Sequence, residues 1–186
     1  MTELKNEFSW SKTRDEVFNT WLRNFYASDI YDGLKFHPRN EWLEVEEFST
    51  FHLDNIRVNL AIDCAIKEGK DIYIYDWKTG KSLSEALSIQ LCGYALYAME
   101  RWHLSPDSLR VIEYNLAFDK SNWFSVTNEE VKAIKGYIRG SIKDMQSLLM
   151  DVGENIPMEE ERFSKVEDER VSLRCNFRKV CRAKDL

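Results

Sequence analysis

The sequence predicts one α/β domain, a sheet with helices packed on it. Three observations carry that reading. Four segments have the two-residue alternation or the Ile- and Tyr-rich composition of strands. Three others repeat apolar residues at helical spacing, two of them behind a capping box. Their order is helix, three strands, helix, strand, helix, a mix that suits a single sheet with helices against it.

Thr13-x-x-Glu16 reads as a capping box that opens the first helix, in which Val17, Phe18, Trp21, Leu22 and Phe25 recur at helical spacing. The pattern breaks at Asp32-Gly33, and Pro38 falls in a polar connector. Trp42 to Phe51 suits a strand, with Leu43, Val45 and Glu47 alternating against Glu44 and Glu46. Asp54-Asn55 supplies a turn. Ile56, Val58, Leu60, Ile62, Cys64 and Ile66 then share one strand face, and Arg57, Asn59, Ala61, Asp63 and Ala65 the other. Lys67-Glu68-Gly69-Lys70 is a polar turn into a strand from Asp71 to Lys78. A long helical pattern runs from Ser84 to Trp102, with Leu87, Leu91 and Tyr94 on one side, until Ser105-Pro106 breaks it. Arg110 to Phe118 reads as a strand. Thr127-x-x-Glu130 is the second capping box, and the helix behind it runs through Val131, Ile134, Ile138, Ile142 and Met145 to Leu149. The predicted organisation is a single domain over 1–186: an N-terminal helical segment 1–30, a core 42–150 and a basic tail 153–186.

Composition narrows the function classes. A length of 186 residues suits one domain with a real core, and 44% hydrophobic content excludes a disordered chain. The 26 Lys and Arg against 32 Asp and Glu leave a net charge of −6. That excludes a wholly basic nucleic-acid coat, but not a local basic patch or a nuclease that meets phosphate through bound metal. Four cysteines are too few and too scattered for a disulfide-stapled secreted domain. No run approaches the ~18 apolar residues that span a membrane, and Met1 to Phe8 carries no signal-peptide apolar block. A reducing cytoplasm is the expected location, with Cys64 and Cys92 as buried core thiols.

The chemistry concentrates in Asp63, Asp76 and Lys78. If the turn centres on Glu68-Gly69, Ile66 faces Asp71 and Asp63 faces Ile74. Asp63, Ile74, Asp76 and Lys78 then share a face, with the two aspartates as diagonal neighbours roughly 7–8 Å apart at the backbone. An odd-length loop would put Asp63 on the opposite face. One hard cation fits between two such carboxylates, because Mg²⁺ takes one or two carboxylates and keeps water. The Trp77 main-chain carbonyl could add another oxygen ligand. A lysine one pleat away can position attacking water or offset transition-state charge. The competing reading makes the aspartates edge-exposed acids and Lys78 the start of a turn. Against it, Asp63 interrupts an apolar stretch, where an unpaired acid is costly.

These residues stand in a larger pattern. Ala61-Ile62-Asp63, then Ile74-Tyr75-Asp76-Trp77-Lys78-Thr79-Gly80, then Gln90-Leu91-x-x-Tyr94 resembles the RecB-type branch of the PD-(D/E)XK nuclease superfamily, related to CRISPR-associated and AddB-like exonucleases. Asp76 follows Asp63 by 13 residues, a spacing typical of the branch. Phe8-Ser9-Trp10-Ser11-Lys12 with Arg23-Asn24-Phe25-Tyr26, and the segment Cys175 to Cys181, resemble its two ends. The resemblance implies a restriction-endonuclease-like core, a central mixed β-sheet flanked by helices. It implies Asp63 and Asp76 as ligands of Mg²⁺ or Mn²⁺, Lys78 as catalytic lysine, and Gln90 and Tyr94 on the helix behind the site. Gln90 and Tyr94 do fall on one helical face, though ordinary helix–sheet packing would also place them there. The implied activity is metal-dependent hydrolysis of single- or double-stranded DNA, in repair and recombination, CRISPR adaptation or defence, with a helicase or other protein subunit as a possible partner. The alternative is a catalytically weak or inactive nucleic-acid-binding or scaffolding subunit.

Several positions depart from the branch. Its iron–sulfur cysteines are replaced by Trp21 and Ser172, leaving Cys175 and Cys181, so no iron–sulfur cluster is expected. The connector that holds an upstream histidine ligand in many relatives is short here. His37 is the histidine available in it, and Glu47 is another substitute; His52 and His103 are expected at the surface. Leu60 stands where the branch has glycine. Thr79-Gly80-Lys81-Ser82 matches the end of a P-loop, but Tyr75 stands where that motif needs glycine, which rejects nucleotide hydrolysis by this route. The basic residues Arg170, Arg174, Arg178, Lys179, Arg182 and Lys184 suit phosphate contacts or a solvated face equally.

Overall fold

The computed structural model describes residues 3–80, 86–164 and 166–177, with backbone alone at 3–13 and 169. Its centre is a five-stranded sheet in the order β1-β2-β3-β4-β5. Strands β1 (Trp42–Leu53) and β2 (Ile56–Glu68) form a long antiparallel hairpin. Asp54 and Asn55 join them at φ 51° and 66°, the left-handed backbone that Asp and Asn tolerate in two-residue turns.

The next hairpin differs from the predicted one. β2 pairs with β3 (Asp71–Lys78) through Glu68↔Asp71, Ile66↔Tyr73 and Cys64↔Tyr75. The turn is therefore Gly69-Lys70, with Gly69 at φ 62°, where glycine carries no Cβ penalty. The register slides by two residues, not one. The pleat keeps its parity, so Asp63 stays on the side of Ile74 and Asp76. Continuing the register places it across from Asp76 itself.

β3 pairs in parallel with β4 (Leu109–Asn115), and that pairing requires a crossover. Helix α3 (Ile89–Trp102) supplies it. It begins later than predicted, because the Ser88 hydroxyl accepts the Leu91 N–H at 3.2 Å and caps it. Residues 81–85, with Ser84 and the Lys81-Ser82 pair, lie outside the described residues. The strand predicted to reach Phe118 stops at Asn115. The Asn115 side chain accepts the Ala117 and Phe118 N–H groups at 3.0 and 3.2 Å, which turns the chain. It returns as β5 (Lys120–Ser125), an edge strand absent from the sequence reading.

The helices also move their predicted ends. α1 runs over Glu3–Ala27, so Thr13-x-x-Glu16 lies inside it. Residues 3–12 hold no Gly or Pro to stop a helix there. Ser28 caps α2 (Asp29–Lys35) by accepting the Tyr31 N–H at 3.1 Å, and this helix runs through the predicted break at Asp32-Gly33. The second capping box forms as predicted. Glu130 Oε2 accepts the Thr127 N–H at 2.8 Å while Thr127 Oγ1 accepts the Glu130 N–H at 3.2 Å, opening α4 (Asn128–Gln146). Leu149, expected in its last turn, instead starts a short strand, β6 (Leu149–Asp151).

Ile62, Ile74, Leu91, Leu109, Val111 and Ile112 are fully buried. Every residue of β4 except Arg110 is buried, as befits a strand covered on both faces. Asn24 in α1 ties that helix to the sheet region: its amide donates to the Leu116 carbonyl at 2.7 Å, and its own carbonyl accepts from the Tyr114 hydroxyl at 3.1 Å. The chain divides into two compact units. Met1–Tyr137 holds the sheet and α1 to α3. Ile138–Leu186 holds the end of α4, the small hairpin β6 (Leu149–Asp151) and β7 (Ile156–Pro157), and α5 (Glu169–Arg174), capped by Asp168. Among the described residues no helix is long and apolar enough to cross a membrane.

Candidate active site

The β2–β3 ladder stops at Cys64↔Tyr75. Beyond it the Asp63 carboxylate replaces the backbone partner: Asp63 Oδ2 accepts the Trp77 N–H at 2.7 Å. That bond holds Asp63 half-buried beside the Asp76–Lys78 segment. Asp76 is 1% exposed. Its Oδ2 lies 2.7 Å from the Lys78 ammonium. Lys78 donates in turn to Gln90 Oε1 at 2.8 Å, and Gln90 Nε2 donates to the Tyr94 hydroxyl at 2.7 Å. Four of the five predicted side chains thus form one connected chain from sheet to helix. Its helical half follows from the i,i+4 spacing of Gln90 and Tyr94.

The electrostatics match that crowding. Burial pushes the Asp76 carboxyl above its ordinary range, Lys78 opposes this, and the charges of Asp63 and Glu113 add to it. Glu113 is 1% exposed and is the β4 partner of Asp76 in the parallel register. The Tyr94 phenol is raised by burial, with Asp76, Asp63 and Glu46 contributing while Gln90 opposes, so it keeps its proton at neutral pH. Cys64 is buried as expected, its thiol pushed up to about 12 chiefly by burial; Cys92 is half-buried.

Glu113 and Glu46 are the acids that sequence reasoning missed. Glu46 falls between the pairs Val45↔Cys64 and Glu47↔Ile62, across from Asp63. The predicted alternation in this strand fails. Glu44 is 6% exposed, whereas Val45 is 47% exposed. A register shift between Trp42 and Glu44 and a φ of 53° at Glu46 re-aim the side chains. The Tyr97 and Ser49 hydroxyls donate to Glu44 Oε1, while Glu44 Oε2 is buried with no hydrogen-bond partner among the described residues. The run Glu44-x-Glu46-Glu47 was the available signal, but only the bulge decides which acid turns where.

His37 Nε2 lies 2.9 Å from the Lys67 carbonyl and 3.2 Å from Glu41 Oε2. Glu47, His52 and His103 are exposed. Cys175 is exposed, and Arg170 and Arg174 are solvent-facing; Arg178, Lys179, Cys181, Arg182 and Lys184 lie outside the described residues. Among the described residues no group of three or more His, Cys, Asp or Glu is arranged to hold a metal ion. Two carboxylates with a main-chain carbonyl do fit a hard cation that keeps several waters. Among the described residues, Asp63 and Glu113 against the one Lys78 ammonium around buried Asp76 favour such a cation as well.

The mixed five-stranded sheet flanked by helices is a restriction-endonuclease-like fold. The family model of the PD-(D/E)XK nuclease superfamily matches residues 9–182, and the chain belongs to that superfamily. Its members are generally nucleases that use divalent metals. No curated protein matches the chain.

Proposed function

We propose that the chain is a single nuclease domain of the RecB-type branch that hydrolyses DNA phosphodiester bonds with Mg²⁺ or Mn²⁺. The connected chain Asp76–Lys78–Gln90–Tyr94 beside Asp63 carries this reading. Asp63, Asp76 and the Trp77 carbonyl would hold the ion, which when bound lowers the pKa of water and neutralises phosphate charge. The Lys78 ammonium is ion-paired with Asp76 and donates to Gln90, and an ammonium carries three donors. A donor not used on Gln90 would point the attacking water or meet charge on the phosphate oxygens. Gln90 holds the ammonium in place through its carbonyl and is itself fixed by Tyr94. The protonated Tyr94 hydroxyl accepts from Gln90 and keeps its own proton for a phosphate oxygen. The setting would be a reducing cytoplasm and DNA repair, CRISPR adaptation or defence, with a helicase or similar subunit as partner.

A cleavage panel on linear, circular, single- and double-stranded DNA with Mg²⁺ and Mn²⁺ tests this. Linear DNA is expected to be degraded in wild type, with circular DNA spared if the action is exonucleolytic. Asp76→Ala and Lys78→Ala are each expected to lower the rate about a thousandfold, within the ~10²–10⁴ range of a positioned catalytic group. Robust cleavage in both variants removes this site from the mechanism. No cleavage in wild type together with no Mn²⁺ binding by calorimetry supports the non-cleaving scaffold instead.

A further inference from the structure

A cavity of about 430 Å³ lies within the first unit, and apart from Asp63 and Trp77 its lining has no role in the reading above. Its size falls in the roughly 300–1,000 Å³ range of small-ligand sites. Phe25, Tyr31, Trp42 and Trp77 line it, each half-buried. Phe25 meets Tyr31 and Trp77 edge-on, both with ring centroids at 5.3 Å, and Trp77 stacks on Tyr75 at 5.6 Å. The Trp42 indole N–H donates to the His37 carbonyl at 3.3 Å. These rings are therefore braced before any ligand arrives. Lys35 and Arg39 also line the cavity and are exposed. Among the described residues neither cation pairs with a carboxylate, and the Lys35 ammonium lies over the Tyr31 and Phe36 rings, 5.9 and 5.2 Å from their centroids. Asp63 lines the same cavity, so it adjoins the proposed cation site.

We propose that this cavity receives one nucleobase of a single-stranded polynucleotide whose scissile phosphodiester lies at Asp63 and Asp76. Aromatic walls match the π-face of any base, and stacking of this kind tolerates sequence. Lys35 and Arg39, neither held by a carboxylate among the described residues, meet the flanking phosphates and strengthen binding by counterion release. A base enters such a cavity only out of its stack, at a cost that is larger in duplex, where pairing is lost too, than in single strand. The position of the scissile phosphate rests on the nuclease reading; occupancy of the cavity by a base is measurable without cleavage.

The test is fluorescence anisotropy of 5′-labelled single-stranded DNA of about 15 nucleotides with the full chain in Ca²⁺, using a series in which one abasic site moves along the strand. Removing the base at one position is expected to weaken binding by about 5- to 100-fold, the range of a base–aromatic stack. In Trp42→Ala the same lesion should cost less than about twofold, because the stack is already gone. Lys35→Glu with Arg39→Glu should weaken every oligonucleotide and flatten the salt dependence. Blunt duplex of the same sequence should bind more weakly than single strand. Circular dichroism checks folding, and Trp42→Leu, which keeps apolar bulk without a stacking face, replaces Trp42→Ala if that variant unfolds. A flat abasic profile, an undiminished abasic penalty in the Trp42 variant, or equal binding of duplex overturns the proposal. Cleavage of the same oligonucleotides in Mn²⁺ separates the two readings. Cutting with a flat profile removes the cavity and leaves the nuclease. A peaked profile without cutting removes the nuclease and leaves the cavity.

Discussion

Asp76 is held where a carboxylate is least comfortable. Burial raises its pKa above the ordinary 3.8, and Asp63 and Glu113 add to the rise. In metal-free protein the sign follows directly. A folded pKa above the unfolded one means that folding takes up a proton, so the contribution favours the fold below the unfolded value and is lost as pH rises through the folded value. At neutral pH the charged side chain therefore costs stability, and a bound cation would relieve it. Asp76→Asn in EDTA should melt at a higher temperature than wild type at pH 7, and the gap should narrow toward pH 5. The Lys78 partner lost in that variant is 32% exposed and has water to turn to. A melting temperature equal to or below that of wild type at pH 7 would show that burial of the charge is not the governing term.

At the scale of elements, caps and turns set the geometry more than propensity does. The reciprocal bonds between Thr127 and Glu130 make α4 begin where the sequence says. Thr127→Ala should cost about 1 kcal/mol, read from a denaturant midpoint at unchanged slope. Gly69 at φ 62° fixes the β2–β3 turn, and no neighbour obstructs a Cβ there. Gly69→Ala should thus cost roughly 1–2 kcal/mol through backbone strain alone. If the chain relieved that strain by moving the turn one residue, Asp63 would change face, and cleavage would fall along with stability. These elements also show what was legible. A two-residue period identified β2, an Ile- and Tyr-rich composition identified β3, and Asp54-Asn55 marked the turn from β1 to β2. The bulge in β1 escaped, because nothing local forces Glu46 to a φ of 53°. β5 escaped because Lys120–Ser125 is short and mostly exposed, with no alternation to read.

For the whole molecule, a net charge of −6 opposes binding to any polynucleotide. On the proposed nuclease reading, attraction would come from local sources: the cations Lys35 and Arg39, the basic residues of the tail, and a divalent ion that Asp63 and Asp76 would hold. Single-stranded DNA should bind at least about tenfold more weakly when Ca²⁺ is replaced by EDTA. Asp63→Asn with Asp76→Asn should bind equally with and without Ca²⁺, because the ion no longer has its carboxylates. A wild-type affinity indifferent to EDTA would detach binding from the acidic pair. The sequence by itself determined the α/β class, four strands and three helices, and it singled out the five residues proposed for the site, because periodicity and motif spacing are local properties. The pleat parity that keeps Asp63 beside Asp76 was conditional on the turn in the sequence and survived because the register slipped by two, which leaves every side chain on its face. Only the tertiary structure decided the parallel pairing that sets Glu113 beside Asp76, the docking of α3 that brings Gln90 to Lys78, and the aromatic cavity next to Asp63. Each depends on contacts between distant segments, and no local pattern encodes which distant residue will be there.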